Sequence, residues 1–296
     1  MKLTNVLLGV VFLASGIGAS AQSNLLNAKT PDEIGKKTAA QLISDNDKPL
    51  VYGYVHDRDV LMGKTVWEII DLDERINFPM YFPIDSANIG KDRRSLYDVL
   101  TKAMRDSTLT EVYTDSYFNT KKTLKDISGS LTRTDTTDMG REQINAGIAV
   151  DPQYIVRYDL AAIDVTAYKI KGFWYFDKRQ SEMKYRLLGI CPMTPDVYTM
   201  DKDEKDYIEL FWVYFPSARD VLHEAKAFND KNSAMPITFD HLLNSRRFNA
   251  VIYKEENVYG DREISEYLKE NAQMQLLESE RVKDKIRNFE QDMWNY

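Results

Sequence analysis

The sequence predicts an α+β fold: an antiparallel β-rich core with flanking helices and a long C-terminal helix. Three observations point there. Residues 165–176 and 183–190 alternate apolar and polar side chains around the polar stretch Asp177-Lys178-Arg179-Gln180, as a β-hairpin does. Leu96, Val99, Leu100, Ala103 and Met104 share one helical face behind Ser95, a residue type that caps helices. Ile264, Leu268, Ala272, Ile286, Phe289 and Met293 recur at helical spacing towards Trp294.

Taken in order, residues 1–21 read as a signal peptide. Lys2 is positive, 6–13 are apolar, and Ala19-Ser20-Ala21 is a small-residue cleavage site before Gln22. A membrane anchor is the competing reading, but the apolar stretch is too short to span a bilayer. No cysteine stands beside Gln22, so a lipid-attached N-terminus is not expected. In an N-terminal α+β region, 22–126, Thr30-Pro31-Asp32-Glu33 starts a helix that runs towards Ile43. Asp45-Asn46-Asp47-Lys48-Pro49 breaks it. The β-branched stretch 66–71 reads as a strand, Ser95 as the cap of a second helix, and 111–114 as a short strand.

Residues 127–150 are polar, small and without period, and read as a linker or long loop. They mark the domain boundary. In the β-rich region 151–260, the hairpin precedes a strand over 207–215 with Ile208, Leu210, Trp212 and Tyr214 on one side. Pro216-Ser217 ends it; 220–228 and 239–247 read as helices, and 249–253 as a strand. The tail, 261–296, reads as one helix from Glu263 to Trp294. Its like-charge pairs, Glu266 with Glu270, Glu280 with Asp284 and Arg281 with Lys285, make it depend on packing. It either docks on a neighbouring molecule or wraps its own domain.

A short internal similarity suggests two related strand–helix–strand halves. Tyr81-Phe82-Pro83 recurs as Tyr214-Phe215-Pro216, and Ser95-x-x-Asp98-Val99-Leu100-x-x-Ala103 as Ser217-x-x-Asp220-Val221-Leu222-x-x-Ala225. With two copies, chance similarity is the competing explanation.

Composition removes several classes. With 43% apolar and 11% aromatic residues the chain is not disordered. Its mean hydropathy of −0.46 argues against a polytopic membrane protein. A net charge of −7 and a pI near 5.2 argue against a general nucleic-acid binder. The single cysteine, Cys191, lies in Leu187-Leu188-Gly189-Ile190-Cys191-Pro192 and reads as a small buried hydrophobe, with an intermolecular disulfide as the alternative.

Catalytic motifs fail one by one. Gly63-Lys64-Thr65 looks like the end of a phosphate-binding loop, but Arg58 stands where that loop needs its first glycine. His223-Glu224 lacks the second histidine of a zincin helix, since Ala227 occupies its place. His56-Asp57-Arg58-Asp59 and Asp201-Lys202-Asp203-Glu204-Lys205-Asp206 read as solvated turns rather than cation sites. Asp71-Leu72-Asp73-Glu74 reads as a helix cap rather than a carboxylate pair. No catalytic residue, cofactor site or metal site is expected. The aromatic strings Phe173-Trp174-Tyr175-Phe176 and Phe211-Trp212-Val213-Tyr214-Phe215 belong to strands that are central in a layered domain or buried against another subunit.

Several long strings are distinctive enough to compare with known families. They are Lys64-Thr65-Val66-Trp67-Glu68-Ile69-Ile70-Asp71 running on to Tyr81-Phe82-Pro83, and Gly172-Phe173-Trp174-Tyr175-Phe176-Asp177-Lys178. Tyr185-Arg186-Leu187-Leu188-Gly189-Ile190 and Pro216-Ser217-Ala218-Arg219-Asp220 follow. So do Phe239-Asp240-His241-Leu242-Leu243-Asn244-Ser245-Arg246-Arg247-Phe248-Asn249 and Asn257-Val258-Tyr259-Gly260-Asp261-Arg262. Together these strings resemble the GldN (PorN) family of type IX secretion and gliding motility in Bacteroidetes, and the resemblance implies a non-enzymatic periplasmic subunit at the inner face of the outer membrane. Its implied partners are the lipoprotein GldK (PorK), the periplasmic part of GldM (PorM) and further copies of itself in a ring, with membrane contact only through the lipoprotein. The partner interface is expected at Trp212, Phe215, Phe289, Met293 and Trp294. The competing reading is a periplasmic glycan-binding module or hydrolase whose exposed aromatics stack on sugar.

Overall fold

Twelve residues, Val60–Asp71, form the strand β1 around which the main sheet is built. The computed structural model describes residues 48–85, 93–199, 206–229, 237–269 and 271–294. Residues 49–227 and 237–296 make up one unit; the other, 1–48 with 228–236, falls almost wholly outside the described residues. After β1 come α1 (Phe78–Tyr81), α2 (Leu96–Arg105), β2 (Val112–Tyr113), β3 (Lys121–Lys122), α3 (Leu124–Leu131), β4 (Thr132–Thr136), α4 (Asp138–Asn145) and β5 (Ile155–Asp159). Then follow β6 (Ala167–Asp177), β7 (Glu182–Pro195), β8 (Tyr207–Glu209), β9 (Trp212–Tyr214), α5 (Phe215–Glu224), β10 (Lys226–Ala227), β11 (Ile237–Thr238), α6 (Phe239–Asn244), β12 (Val251–Glu255), α7 (Ile264–Tyr267) and α8 (Ala272–Trp294). The fold is α+β.

The main sheet has eight strands in the order β12-β1-β6-β7-β9-β2-β3, with β8 also pairing β7. Neighbours run antiparallel. Because side chains alternate across a strand, Val66, Glu68 and Ile70 share one face and Trp67 points to the other. On the first face Ile70, Tyr168, Ile170 and Ile190 pack under α2, α5 and α6 through Leu100, Leu222 and Leu243. Helix α2 starts as its sequence demands: the Ser95 hydroxyl accepts the Asp98 N–H at 3.2 Å. On the opposite face Trp67, Cys191 and Trp212 cluster beside Tyr113, Phe118 and Tyr253.

Both sheet edges are closed against further pairing, the usual defence of an edge strand. At β12, the Ile252 N–H donates to Ser279 Oγ at 2.9 Å, and the Ala250 carbonyl accepts Lys283 Nζ at 3.0 Å. Both side chains come from α8, whose Val282 and Ile286 pack on Val66 and Ile252. At the far edge β3 is two lysines long, and Lys121 pairs with Glu111.

The hairpin is longer than the sequence pattern suggests and carries a register shift at Lys171/Gly172. A Cβ on Gly172 would lie 2.1 Å from the Tyr185 hydroxyl, so only glycine leaves room for that ring.

Several expectations need correction. The segment 127–150 is not a linker: it contains the end of α3, all of β4 and α4, and β4 pairs with β5. Its polarity reflects a small, solvated two-stranded sheet. The main sheet also draws strands from both sides of this segment, so the segment does not divide it. The strand over 207–215 is two strands, β8 and β9, because the register against β7 slips by one between Leu210 and Trp212. All four residues 210–213 are consequently buried, while Tyr214 is exposed. Pro216 does not end a strand but sits in the first turn of α5, where its missing N–H is harmless. That helix ends at Glu224, and α6 ends at Asn244, earlier than the spacing suggests. In Asp71-Leu72-Asp73-Glu74 the cap position is held by Glu74, ahead of a short 3-10 turn over Arg75–Asn77 and with no side-chain cap bond, while Asp71 Oδ1 accepts the Asp73 N–H at 2.9 Å.

The tail is two helices, since Leu268 leaves helical geometry after α7 (φ −113°, ψ 63°). The C-terminal half of α8 wraps its own domain. The two similar strings take different shapes: Ser95 caps α2, whereas Ser217 lies inside α5 and donates to the Tyr214 carbonyl. The signal segment with Ala21 and Gln22, the helix from Thr30 to Ile43 and the turn at 201–205 lie outside the described residues.

Ser279→Ala orphans the buried Ile252 N–H and is expected to cost about 1–3 kcal/mol in urea denaturation. Gly172→Ala is expected to cost about 1–3 kcal/mol in the same measurement, because Tyr185 must leave its site.

Candidate interaction surface

Glu68 is the only charged residue in the otherwise apolar centre of β1, and it is buried. A buried carboxylate needs a cation. Arg246 supplies it through two parallel bonds, Nη1 to Oε2 and Nη2 to Oε1, both 2.9 Å. The guanidinium also lies 4.1 Å from the Tyr185 ring centre and 5.2 Å from those of Trp174 and Phe248. Burial works against the Arg246 charge, but Glu68 and Tyr185 outweigh it and its pKa rises. Burial, reinforced by Glu68, pushes the Tyr185 hydroxyl far above the ordinary tyrosine range.

The same residue terminates α6. Arg246 has φ 50°, its N–H donates to Leu243 O, and the Arg247 N–H donates to Leu242 O. This is the double-bonded helix stop that usually carries glycine. Left-handed backbone costs a side-chain-bearing residue about 1–2 kcal/mol. The ion pair holds it there.

From Arg246 the chain enters β12 and then the loop 257–262, which is bonded to itself. Asn257 Oδ1 accepts the Tyr259 N–H at 2.9 Å, and the Asn257 N–H donates to Asp261 Oδ1 at 3.2 Å. Gly260 (φ 80°) and Asp261 (φ 59°) make the left-handed turn. Tyr117 Oη then donates to Asp261 Oδ2 at 3.0 Å, tying this loop to the one between β2 and β3. Beneath Tyr117 lies a cross-strand row, Lys254–Trp67–Lys171, drawn from β12, β1 and β6. Lys171 Nζ sits 5.0 Å from the Trp67 ring centre and 4.8 Å from that of Tyr117; for Lys254 the distances are 4.8 and 5.2 Å. The two ring centres are 5.8 Å apart and each ammonium group reaches both, an arrangement that holds the loops to the sheet. Burial, helped by Lys254, holds Lys171 below the usual lysine range, while Asp261 and Glu256 oppose the shift.

What this lock displays is apolar. Val258 is 93% exposed and Tyr259 76%. The Arg262 guanidinium lies 5.5 Å from the Tyr259 ring and 4.7 Å from the Tyr267 ring, and Tyr267 Oη donates to Glu278 Oε1 at 3.2 Å. On α8, Met274 is exposed one turn before Glu278, and Leu277 is exposed as well. Exposed apolar groups on a firmly held frame make this the candidate interaction surface.

The sequence-based interface candidates do not gather there. Trp212 and Phe215 are fully buried, Trp212 with its Nε1 donating to Glu209 at 2.7 Å, so both are core rather than interface. Phe289 meets Phe176 edge-on at 5.9 Å, and half-buried Met293 lies one turn further along α8. Trp294 is 69% exposed, although its Nε1 donates to the Ser181 carbonyl. Gly63-Lys64-Thr65 lies inside β1, where a Cβ on Gly63 would lie 2.6 Å from the Phe173 ring. Cys191 is buried, and burial raises its thiol pKa well above the usual range. Among the described residues no group of three or more His, Cys, Asp or Glu could hold a metal ion, and no helix is long and apolar enough to cross a membrane.

Fold and surface together define an α+β protein that carries apolar side chains outward on interlocked loops. Its family follows from comparison with known proteins. The family model described as gliding motility associated protein GldN matches residues 55–295, and the chain belongs to that family. No curated protein matches the chain.

Glu68→Ala strands the buried Arg246 charge and is expected to cost about 3–5 kcal/mol in chemical denaturation. Val258→Ser with Tyr259→Ser is expected to stay within about 0.5 kcal/mol of the parent by the same assay, since neither side chain is buried.

Proposed function

We propose that this protein is a non-enzymatic periplasmic structural subunit of the type IX secretion and gliding machinery. In this reading it forms an outer-membrane-associated ring with the lipoprotein GldK (PorK) and contacts the motor protein GldM (PorM). The family match over 55–295 carries the reading, because it ties the chain to gliding motility. The outward display of Val258 and Tyr259 supports it: a scaffold subunit needs apolar contact groups held in a fixed position. The lipoprotein supplies the membrane attachment, and the ring faces the periplasm beneath the outer membrane.

The test is recovery from gently solubilised envelopes of cells in which this protein is replaced by its variants. The parent is expected to co-purify with the lipoprotein in large rings. Val258→Asp with Tyr259→Asp, which keeps the thermal midpoint, is expected to lose that recovery and the secretion that goes with it. A parent protein recovered as a small, partner-free particle overturns the scaffold reading.

A further inference from the structure

Strands β4 and β5 form a small sheet of their own, and among the described residues no strand pairs with the outer edge of β5. Two backbone bonds fix the phase of the ladder: Leu160 N–H to Leu131 O and Thr137 N–H to Tyr154 O, each 2.9 Å. Bonded and non-bonded pairs alternate along an antiparallel ladder. Val156 and Tyr158 therefore turn their backbone groups towards β4, and Ile155, Arg157 and Asp159 turn theirs outwards.

We propose that this outer edge pairs antiparallel with the same edge of a second copy, about a two-fold axis at Tyr158. Charge selects the register. An axis at Arg157 would set Arg157 against the partner's Arg157, and an axis at Val156 would leave Arg157 facing the partner's Ile155. The axis at Tyr158 sets Arg157 opposite the partner's Asp159, twice by symmetry, with outward backbone groups in bonding position. Arg157 and Asp159 are both exposed and already 2.9 Å apart within the chain, so each interfacial pair extends an existing one. Exposed Ile155 and Tyr158 are covered in the process. The corresponding charges on β4 are less free, since Arg133 donates to the Val197 carbonyl and leans on Tyr158 and Tyr198. A two-fold contact closes at two copies, whereas a ring needs a head-to-tail contact, so this pairing is distinct from ring closure.

The test is disulfide capture in the full chain under mild oxidation. Tyr158→Cys is expected to form a covalent dimer, because directly opposed residues of a non-bonded pair lie within disulfide reach. Arg157→Cys, displaced from its own copy, is expected to stay unlinked; buried Cys191 does not compete. Arg157→Glu added to Tyr158→Cys is expected to reduce the yield at least tenfold, and Asp159→Arg added to both is expected to restore it. A monomeric Tyr158→Cys variant, equal linking through position 157, or no rescue by the charge swap overturns the proposal. Rings with the lipoprotein around an unlinked Tyr158→Cys variant overturn the pairing alone; a linked dimer that never recovers the lipoprotein counts against the scaffold reading alone.

Discussion

The buried pair between Glu68 and Arg246 is the constraint on which the rest of the arrangement depends. A carboxylate at the centre of a sheet cannot be left dry and alone. Its partner comes from the segment after α6, and meeting it fixes where that segment crosses the sheet. Phe248 and Ala250 pack next, β12 aligns on β1, and the loop 257–262 emerges from its end. The same arginine adopts the left-handed stop of α6, so one side chain joins a helix end, a strand and an aromatic box. A buried ion pair adds little net stability over a well-packed apolar replacement, but removing one partner strands the other charge. Here that penalty ties the segment leading into β12 to the centre of β1.

Downstream of that position, the molecule seals its backbone and exposes its side chains. Ser279 and Lys283 of α8 close the β12 edge, which blocks casual strand addition. The lysines that flank the Trp67–Tyr117 ring pair hold two loops on the sheet, and Asp261 joins them. Val258 and Tyr259 then stand in solvent on a turn with little freedom to lose. A contact site ordered in advance loses less entropy on binding than a mobile one. In the scaffold reading proposed above, this is the physical basis on which partners would recognise the protein.

Much of this fold was legible in the sequence, for reasons that can be named. The β6–β7 hairpin showed because two alternating runs flank a polar turn, and α2 showed because Ser95 precedes a clear apolar stripe. The β4–β5 sheet was hidden because both strands are short and partly solvated, and β4, Thr-Arg-Thr-Asp-Thr, has no apolar face to alternate. Strand 207–215 misled because its apparent alternation runs through a register slip, which buries consecutive residues. The contact surface was hardest to see. Aromatic strings such as Phe211-Trp212 draw attention as interface, yet bulk and apolarity serve the core first. The usable signals were quieter: a lone glutamate inside an apolar strand, and an Asn-Val-Tyr-Gly-Asp-Arg turn whose apolar residues have nothing local to cover them.

The most direct measurement is hydrogen exchange on the full chain, alone and bound to the lipoprotein. The expected result is new protection at 257–262 and along the exposed face of α7 and α8, with β9 unchanged because Trp212 and Val213 are already buried. Protection confined to other surfaces, with 257–262 exchanging as before, would contradict the account.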